Sequence, residues 1–177
     1  MEIVVITGSA HKTGTSAILA DEYIRGAKEA GHEVFRFDAA FKNIHPCIGC
    51  NKCQETGNGC VFKDDMQELN PKLLSADIVT LISPIYYFDM NAQTKTVIDR
   101  FFANNQELKE NKRFVYMTTM ADTGMTSCEA ANTAFTNIAN YMKWDIAGSI
   151  NAMGTWDVED MKKSDYPKKA YQLGKLL

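Results

Sequence analysis

The first segment whose residues suit chemistry is a loop near the N-terminus that could hold a phosphate group. Its sequence, Gly8-Ser-Ala-His-Lys-Thr-Gly-Thr-Ser16, combines glycines, hydroxyls and two side chains that can be basic. It lies between a short apolar strand pattern and a helical pattern, so free backbone N–H groups and the positive end of a helix would meet an anion there. It matches neither the Walker pattern nor Gly-x-Gly-x-x-Gly. The alternative interpretation is an ordinary polar turn between a strand and a helix.

The second chemical feature is a compact run of four cysteines with the spacing Cys-x2-Cys-x2-Cys-x6-Cys. These residues are Cys47, Cys50, Cys53 and Cys60. Three thiolates at intervals of three residues are typical of iron–sulfur ligands, and the fourth follows a Gly/Asn turn. A structural zinc site is a second interpretation, although the usual long spacer between cysteine pairs is missing. Plain thiols on a loop are the third. The sequence leaves all three open, whereas the isolated Cys128 is typical of core packing.

The third feature is a run of aromatic residues, Tyr86, Tyr87 and Phe88, in the segment from Ser83 to Asn91. Three consecutive aromatic side chains cannot all point into a core, so some must present flat apolar faces that a planar heteroaromatic ligand would cover. Packing under the next helix or in a subunit interface is the alternative. Together with the first loop, the aromatic run favours one ligand that has a phosphate end and a flat end.

Five strand patterns alternate with helical patterns and position these segments. Strands are predicted at residues 2–7, 34–37, 77–83, 113–119 and 146–152. This alternation predicts a doubly wound α/β sheet with right-handed crossovers. Ligands bind such sheets at the carboxyl ends of the strands, where the winding reverses. The loops after Thr7, Ser83 and Thr119 should therefore meet at one edge.

Three features of the predicted helices are less certain from the sequence pattern than the strands are. Thr126 with Glu129 reads as a capping box. Pro71 should either kink a helix or begin one. Asp99 and Arg100, on the helix after the aromatic run, are expected to form local or intersubunit ion pairs. These expectations concern how the loops are supported, not which residues touch a ligand.

Composition excludes several classes of function. The 177 residues are 45% hydrophobic and 23% charged with a net charge of -3, which fits one globular domain without a basic field for nucleic acid or anionic membranes. We expect no membrane span and no signal peptide, because the N-terminal apolar run is short and follows Met-Glu. Clustered cysteines without an export signal indicate a reducing cytoplasm. We therefore expect a cytoplasmic protein with no nucleic-acid or membrane partner.

These motifs resemble the NADPH-dependent FMN reductase group of flavodoxin-like proteins. Segment 8–16 is similar to that group's FMN phosphate loop, and segment 83–100 is similar to its flavin-ring loop and following helix. Segment 46–53, with Asp64-Asp-Met66, is similar to one found in iron–sulfur flavoprotein relatives. The resemblance covers most of residues 2 to 120 and is architectural beyond them. Many relatives carry Gly-Asn-Thr where this chain has Gly14-Thr15-Ser16, so the phosphate contacts can differ.

The resemblance implies a flavodoxin-like three-layer α/β/α fold, with a five-stranded parallel sheet in the order 2-1-3-4-5. It implies one FMN-binding domain over residues 1–177, with FMN held non-covalently at the carboxyl edge of the sheet. The implied FMN-binding residues are Ser9, His11, Lys12, Thr13, Thr15, Ser16, Pro84, Ile85, Tyr86, Tyr87, Phe88, Thr119, Asp122 and Gly124. No side chain is assigned a catalytic role, because the flavin itself makes and breaks the bonds.

The implied activity is that of an FMN-dependent oxidoreductase, which takes hydride from NAD(P)H and passes electrons to a small-molecule acceptor. That acceptor could be a quinone, a nitro or azo compound, a flavin or a metal. One alternative is an iron–sulfur flavoprotein that carries electrons through a [4Fe–4S] cluster on the four cysteines. Another is a module without enzymatic activity that senses flavin or redox state. By analogy with relatives, we expect a homodimer or a homotetramer.

Overall fold

The computed structural model describes every residue from Met1 to Leu177. The strands are β1 (Glu2–Thr7), β2 (Glu33–Asp38), β3 (Ile78–Tyr86), β4 (Asp89–Met90), β5 (Arg113–Thr119) and β6 (Asp145–Ala152). The helices are α1 (Thr15–Glu29), α2 (Lys52–Thr56), α3 (Met66–Ser75), α4 (Ala92–Arg100), α5 (Asn105–Leu108), α6 (Glu129–Met142), α7 (Val158–Lys163) and α8 (Tyr166–Lys175). None of these helices is long and apolar enough to span a membrane.

The five long strands pair in parallel, in the order β2-β1-β3-β5-β6. When the two-residue strand β4 is left out of the count, this is the order predicted from the sequence, and the fold class is confirmed. The pairing register places Thr7 beside Ile82 and Pro84 beside Thr119. The central strands therefore end almost level, and the loops that follow them share one edge of the sheet.

Both faces of the sheet are covered. Alternate residues of β1 enter two separate hydrophobic clusters: Val4 and Ile6 join one, whereas Ile3 and Val5 join the other. The first cluster packs under α3, α4 and α6, and the second packs under α1, α7 and α8. A strand that is apolar on both faces is expected in a parallel sheet between two helical layers. The predicted three-layer arrangement is thus confirmed.

Helices α1 and α8 approach each other so closely that only glycine fits at their crossing. A Cβ atom on Gly26 would lie 2.1 Å from the Tyr171 carbonyl oxygen. Reciprocally, a Cβ atom on Gly174 would lie 2.1 Å from the Tyr23 carbonyl oxygen. The contact is therefore backbone against backbone, and it fixes the C-terminal helix against the helix that follows the first loop.

The segment after β3 differs from its prediction. Instead of a loop from Pro84 to Met90, β3 continues to Tyr86 and turns back into β4, so that Tyr86 pairs with Asp89. The two turn residues, Tyr87 and Phe88, have φ angles of 48° and 70°. Positive φ at both central positions belongs to the type I′ hairpin turn, which usually uses Asn and Gly. The sequence gives no hairpin signal because aromatic residues occupy those positions.

One helix prediction is wrong. Thr126 does not cap a helix, because Met125–Cys128 forms a 3-10 turn and α6 begins only at Glu129. Of the two alternatives for Pro71, the structure excludes a helix start, because α3 passes through this residue. Helix α7 was not predicted, because its six residues are too few for a periodic pattern, although Asp157 and Asp160 form a capping box at its start.

Candidate functional site

The first loop, residues 8–16, presents free hydrogen-bond donors at the start of the 15-residue helix α1. The backbone N–H groups of Thr15, Ser16 and Ala17 have no acceptor within the chain, and no side chain caps the helix. Ser9 is buried, and its hydroxyl accepts a hydrogen bond from the N–H of His11. Unpaired N–H groups at a helix N-terminus carry partial positive charge, so this loop suits a phosphate group.

A buried asparagine that the sequence reasoning missed ties the first loop to the aromatic hairpin. Asn91 donates from its amide nitrogen to the Gly8 carbonyl at 2.6 Å. Its amide oxygen accepts from the Thr94 N–H, which caps α4, and from the Ser83 hydroxyl. A Cβ atom on Gly8 would lie 2.3 Å from this oxygen, so residue 8 must be glycine. The available signal was an Asn directly before a predicted helix, which is typical of an N-cap.

The first loop is also joined to the end of β5, where the third loop, residues 120–124, begins. The hydroxyls of Ser16 and Thr119 lie 2.8 Å apart, and both residues are buried. The backbone N–H groups of Ala121 and Asp122 have no acceptor within the chain. The predicted edge residues Ser9, Ser16, Pro84 and Thr119 are therefore brought together, as the strand register requires.

Asp122 is occupied inside its own loop. Its carboxylate accepts hydrogen bonds from the Ser127 hydroxyl and the Gly124 N–H. These bonds, the one from Ser127 first, hold the pKa of Asp122 below its usual range. The side chain therefore shapes the third loop, and it remains ionised at neutral pH beside the free N–H groups.

Aromatic and apolar side chains form the outer rim of this edge. Tyr87 is 98% exposed and Trp156 is 80% exposed, and Tyr86, Phe88 and Met125 are exposed as well. The segment that carries Trp156 is bound to the third loop, because the Gly154 N–H donates to the Asp122 carbonyl. Solvent-facing aromatic rings on a strained turn are a surface that a flat ligand can cover.

Three side chains that were predicted at the phosphate are exposed, namely His11, Lys12 and Thr13. The Lys12 ammonium lies 4.8 Å from the centre of the Phe41 ring, and it makes no ion pair. The backbone N–H groups at the helix start and the buried hydroxyls of Ser9 and Ser16 are fixed in place, whereas these three side chains are not.

A second region, the cysteine loop at residues 46–63, is closed at its neck by a buried ion pair. Arg100 donates to the Asp64 carboxylate at 2.6 Å and to the His45 carbonyl at 2.6 Å, so that one guanidinium joins both ends of the loop. Burial by itself raises the pKa of Asp64, but hydrogen bonds from Arg100 and from backbone N–H groups outweigh it and hold that pKa below its usual range. The prediction of a local or intersubunit partner for Arg100 is wrong, because the partner lies across the loop.

All four predicted metal-binding cysteines line one small cavity inside this loop. They are Cys47, Cys50, Cys53 and Cys60, and all are free thiols. No three Cys, His, Asp or Glu side chains converge closely enough to hold a metal ion as they stand. The donor set nevertheless fits an iron–sulfur cluster, because four soft ligands surround one space on a short segment. Cys128 is buried in the core, as predicted.

The largest cavity, of about 650 Å³, does not belong to the sheet edge. It lies between the cysteine loop and α6, and its lining includes Cys47, Phe102 and Tyr141. None of the residues predicted to bind FMN contributes to it. The candidate flavin site is thus an open edge of the molecule, and this separate cavity, which is also open to solvent, lies beside the cysteines.

Comparison with known proteins places this architecture in a family. The family model described as NADPH-dependent FMN reductase matches residues 1–154. Among solved structures, the NAD(P)H:quinone oxidoreductase from Methanothermobacter marburgensis superposes with a TM-score of 0.70 over 99% of this chain and 94% of that one. Since the two sequences are 14% identical, that likeness concerns the fold alone.

Two curated relatives are similar in sequence as well. An iron–sulfur flavoprotein from Archaeoglobus fulgidus is 39% identical over 100 residues, which cover 56% of this chain and 45% of that protein. An iron–sulfur flavoprotein from Methanocaldococcus jannaschii is 37% identical over 100 residues, covering 56% of this chain and 51% of that protein. This chain therefore spans about half the length of the relatives it matches.

Proposed function

Because the chain belongs to the NADPH-dependent FMN reductase family, we propose that it is an oxidoreductase that binds FMN where its first loop, its aromatic hairpin and its third loop meet. The observation that carries the proposal is the hydrogen-bonded junction of these loops. The Asn91 amide joins the first loop to the hairpin, and the Ser16 hydroxyl joins it to the end of β5, where the third loop begins. This junction supports the proposal, because it holds the start of α1 and the exposed aromatic hairpin at one edge of the sheet.

Each part of this site has a role in holding FMN. The free N–H groups of Thr15 and Ser16, with the Ser9 hydroxyl, would bind the phosphate. Since the net charge of the chain is -3, the phosphate must be held by such local donors and not by an overall positive field. The rings of Tyr87 and Phe88 would cover the isoalloxazine and keep water from one side of it. The free N–H groups of Ala121 and Asp122 would stabilise negative charge on its polar edge.

FMN, when bound, supplies the redox chemistry: it accepts hydride from NAD(P)H and returns electrons to a second substrate. The protein contributes binding, orientation and exclusion of water, and no side chain is needed as an acid or base. The open edge leaves room for flat acceptors, and we propose quinones and nitro or azo compounds as the first to test, ahead of free flavin and metal chelates. We also propose that residues 1–177 act as one FMN-binding domain that forms homodimers or homotetramers, which would cover exposed rim residues such as Trp156.

We further propose that Cys47, Cys50, Cys53 and Cys60 hold a [4Fe–4S] cluster. The supporting observations are that all four line one cavity and that the curated relatives are named iron–sulfur flavoproteins. Such a cluster would supply one-electron chemistry beside the two-electron chemistry of the flavin. In this case the protein carries electrons between FMN and a further acceptor.

The test is anaerobic purification followed by a visible spectrum, with FMN, iron and sulfide measured on the same sample. FMN at about one per chain together with NADH or NADPH oxidation supports the oxidoreductase. Iron and sulfide near four per chain support the cluster. Protein that binds no FMN even after incubation with excess cofactor would overturn the proposal.

Matched variants locate the flavin site. Ser9→Ala and Ser16→Ala remove buried hydroxyls at the phosphate end and should weaken FMN binding about tenfold, or about 1.4 kcal/mol. Thr96→Ala removes an exposed hydroxyl whose only partner is the Ala92 carbonyl in α4, and it should leave FMN affinity unchanged. Equal affinity in all three variants would place the phosphate elsewhere.

A further inference from the structure

Arg100 does more than close the neck of the cysteine loop: we propose that its guanidinium donates a hydrogen bond to the Cys60 sulfur and keeps a positive charge beside the cluster. This inference rests on the proposed function, because it requires a cluster on the four cysteines. Arg100 acts through Cys60 and does not ligate iron, so it is a positioning residue.

The hydrogen bonds of Arg100 leave one nitrogen free. A guanidinium has five N–H donors. One terminal nitrogen of Arg100 serves both the His45 carbonyl and the Asp64 carboxylate, and the other serves Asp64 at 3.1 Å. The Nε atom is buried and has no partner. Because the residue is only 2% exposed, water does not satisfy this donor, and a buried charged donor without an acceptor is rare in folded proteins.

We assign Cys60 as the missing acceptor. Cys60 and Phe62 line the same cavity, and the guanidinium lies over the Phe62 ring, 5.4 Å from its centre. His45 stacks on the same ring at 3.7 Å, so aromatic side chains cover the buried guanidinium on the side of the cavity. Burial by itself lowers the pKa of Arg100, but hydrogen bonding and charge interactions with Asp64 and Cys60 raise it above its usual value, which agrees with this assignment.

The neck also limits where Cys60 can lie. Asp64, four positions after Cys60, is held by Arg100 and by the His45 N–H at 2.9 Å. Cys60 is therefore close in the chain to the buried ion pair and is itself partly buried, whereas Cys50 is exposed in the middle of the loop. A cluster on the four cysteines would thus have its Cys60 ligand on the side of Arg100.

A positive charge and an N–H···S hydrogen bond at a ligating thiolate both favour the reduced, more negative state of an iron–sulfur site. Reduction of the cluster by one electron from dithionite moves no proton through Arg100, so the effect should be electrostatic and nearly independent of pH. Loss of Arg100 should therefore shift the reduction potential to more negative values. A tenfold loss in the equilibrium constant for reduction corresponds to a shift of about 59 mV for one electron.

The experiment uses the full chain with FMN, reconstituted anaerobically with ferrous iron and sulfide. Arg100→Gln alone would leave the Asp64 carboxylate buried and unpaired, so the test variant is the double variant Asp64→Asn/Arg100→Gln. Its matched control is Asp64→Asn, which keeps the cation and its free Nε. The readouts are bound iron, FMN content, the reduction potential from a dye-mediated titration, and the coupling of exchangeable protons to the reduced cluster by ENDOR.

We expect the Asp64→Asn control to retain the cluster. We expect the double variant to have a reduction potential at least about 59 mV more negative than that control and to lose one exchangeable-proton coupling. A double variant that binds FMN but fails to take up iron also supports the positioning role. Equal potentials and equal proton couplings in the two proteins would overturn the inference. If the double variant loses FMN as well, Arg100→Lys, which keeps a cation opposite Asp64 without Nε, is compared with the wild-type protein by the same criteria. Wild-type protein that takes up no iron would instead refute the proposed cluster.

Discussion

Replacing Asn91 by Ala should loosen the junction between the first loop and the hairpin, because this side chain is buried and makes hydrogen bonds on both sides. Its amide nitrogen binds the Gly8 carbonyl, and its amide oxygen binds the Thr94 N–H and hydroxyl. The substitution removes these bonds together and introduces no new polar group. It thus tests whether one residue organises the site.

The expected loss in the free energy of unfolding follows from the polar groups that Asn91→Ala leaves unpaired. Loss of the N-cap of α4 costs about 1 kcal/mol. The Gly8 carbonyl, buried without its partner, costs roughly 1–3 kcal/mol more. The free energy of unfolding should therefore fall by about 2–4 kcal/mol. For a domain of this size, that corresponds to a fall in Tm on the order of 10 °C.

Two assays measure the expected effects on stability and on FMN binding. Urea unfolding gives the change in free energy, and quenching of flavin fluorescence gives the FMN dissociation constant. We expect FMN to bind at least about tenfold more weakly, since the first loop loses its fixed distance from the hairpin. Asn91→Asp separates the two contributions, because the carboxylate still caps α4 but cannot donate to Gly8.

The matched control is Asn140→Ala, an exposed asparagine in α6. Its free energy of unfolding should stay within about 0.5 kcal/mol of the wild-type value. If Asn91→Ala also stays within that range and binds FMN normally, the reasoning that places Asn91 at the centre of the site is wrong.

Three further predictions follow from single features. Tyr87→Asn/Phe88→Gly should raise the free energy of unfolding by about 1–2 kcal/mol, because Asn and Gly fit the positive φ angles of the turn. The same variant should bind FMN more weakly, and an unchanged FMN affinity in titrations would show that the two rings do not cover the flavin. Gly26→Ala should destabilise the fold by about 2 kcal/mol or more in thermal unfolding, because its Cβ would collide with the facing backbone of α8; a neutral result would contradict the close helix crossing. Asp122→Ala should lower the free energy of unfolding above about pH 4, where the wild-type carboxylate is ionised. Because the folded state lowers the pKa of Asp122, the difference in free energy between variant and wild type should shrink as the pH falls below that value. A difference that stays constant down to about pH 3 in urea unfolding would show that the carboxylate does not stabilise the loop.

The amino-acid sequence by itself determined the parallel sheet and its edge. Apolar β-branched runs such as Ile3–Ile6 and Ile78–Ile82 have a pattern that only strands buried on both faces explain, and their alternation with helices dictates the topology. The loops after them then had to meet, since parallel strands all end at the same edge. The first loop and the aromatic run were placed at that edge in this way, whereas the cysteine loop was found from the spacing of its cysteines.

Only the tertiary structure decided how these parts are connected. Local patterns report backbone preferences within a few residues, whereas Asn91 reaches Gly8 and Arg100 reaches Asp64 across long stretches of chain. The hairpin at Tyr87 was hidden because its positive φ angles contradict the preferences of aromatic residues. Such strain and such long-range polar contacts persist because packing around them outweighs their local cost, and a one-dimensional pattern does not contain that packing.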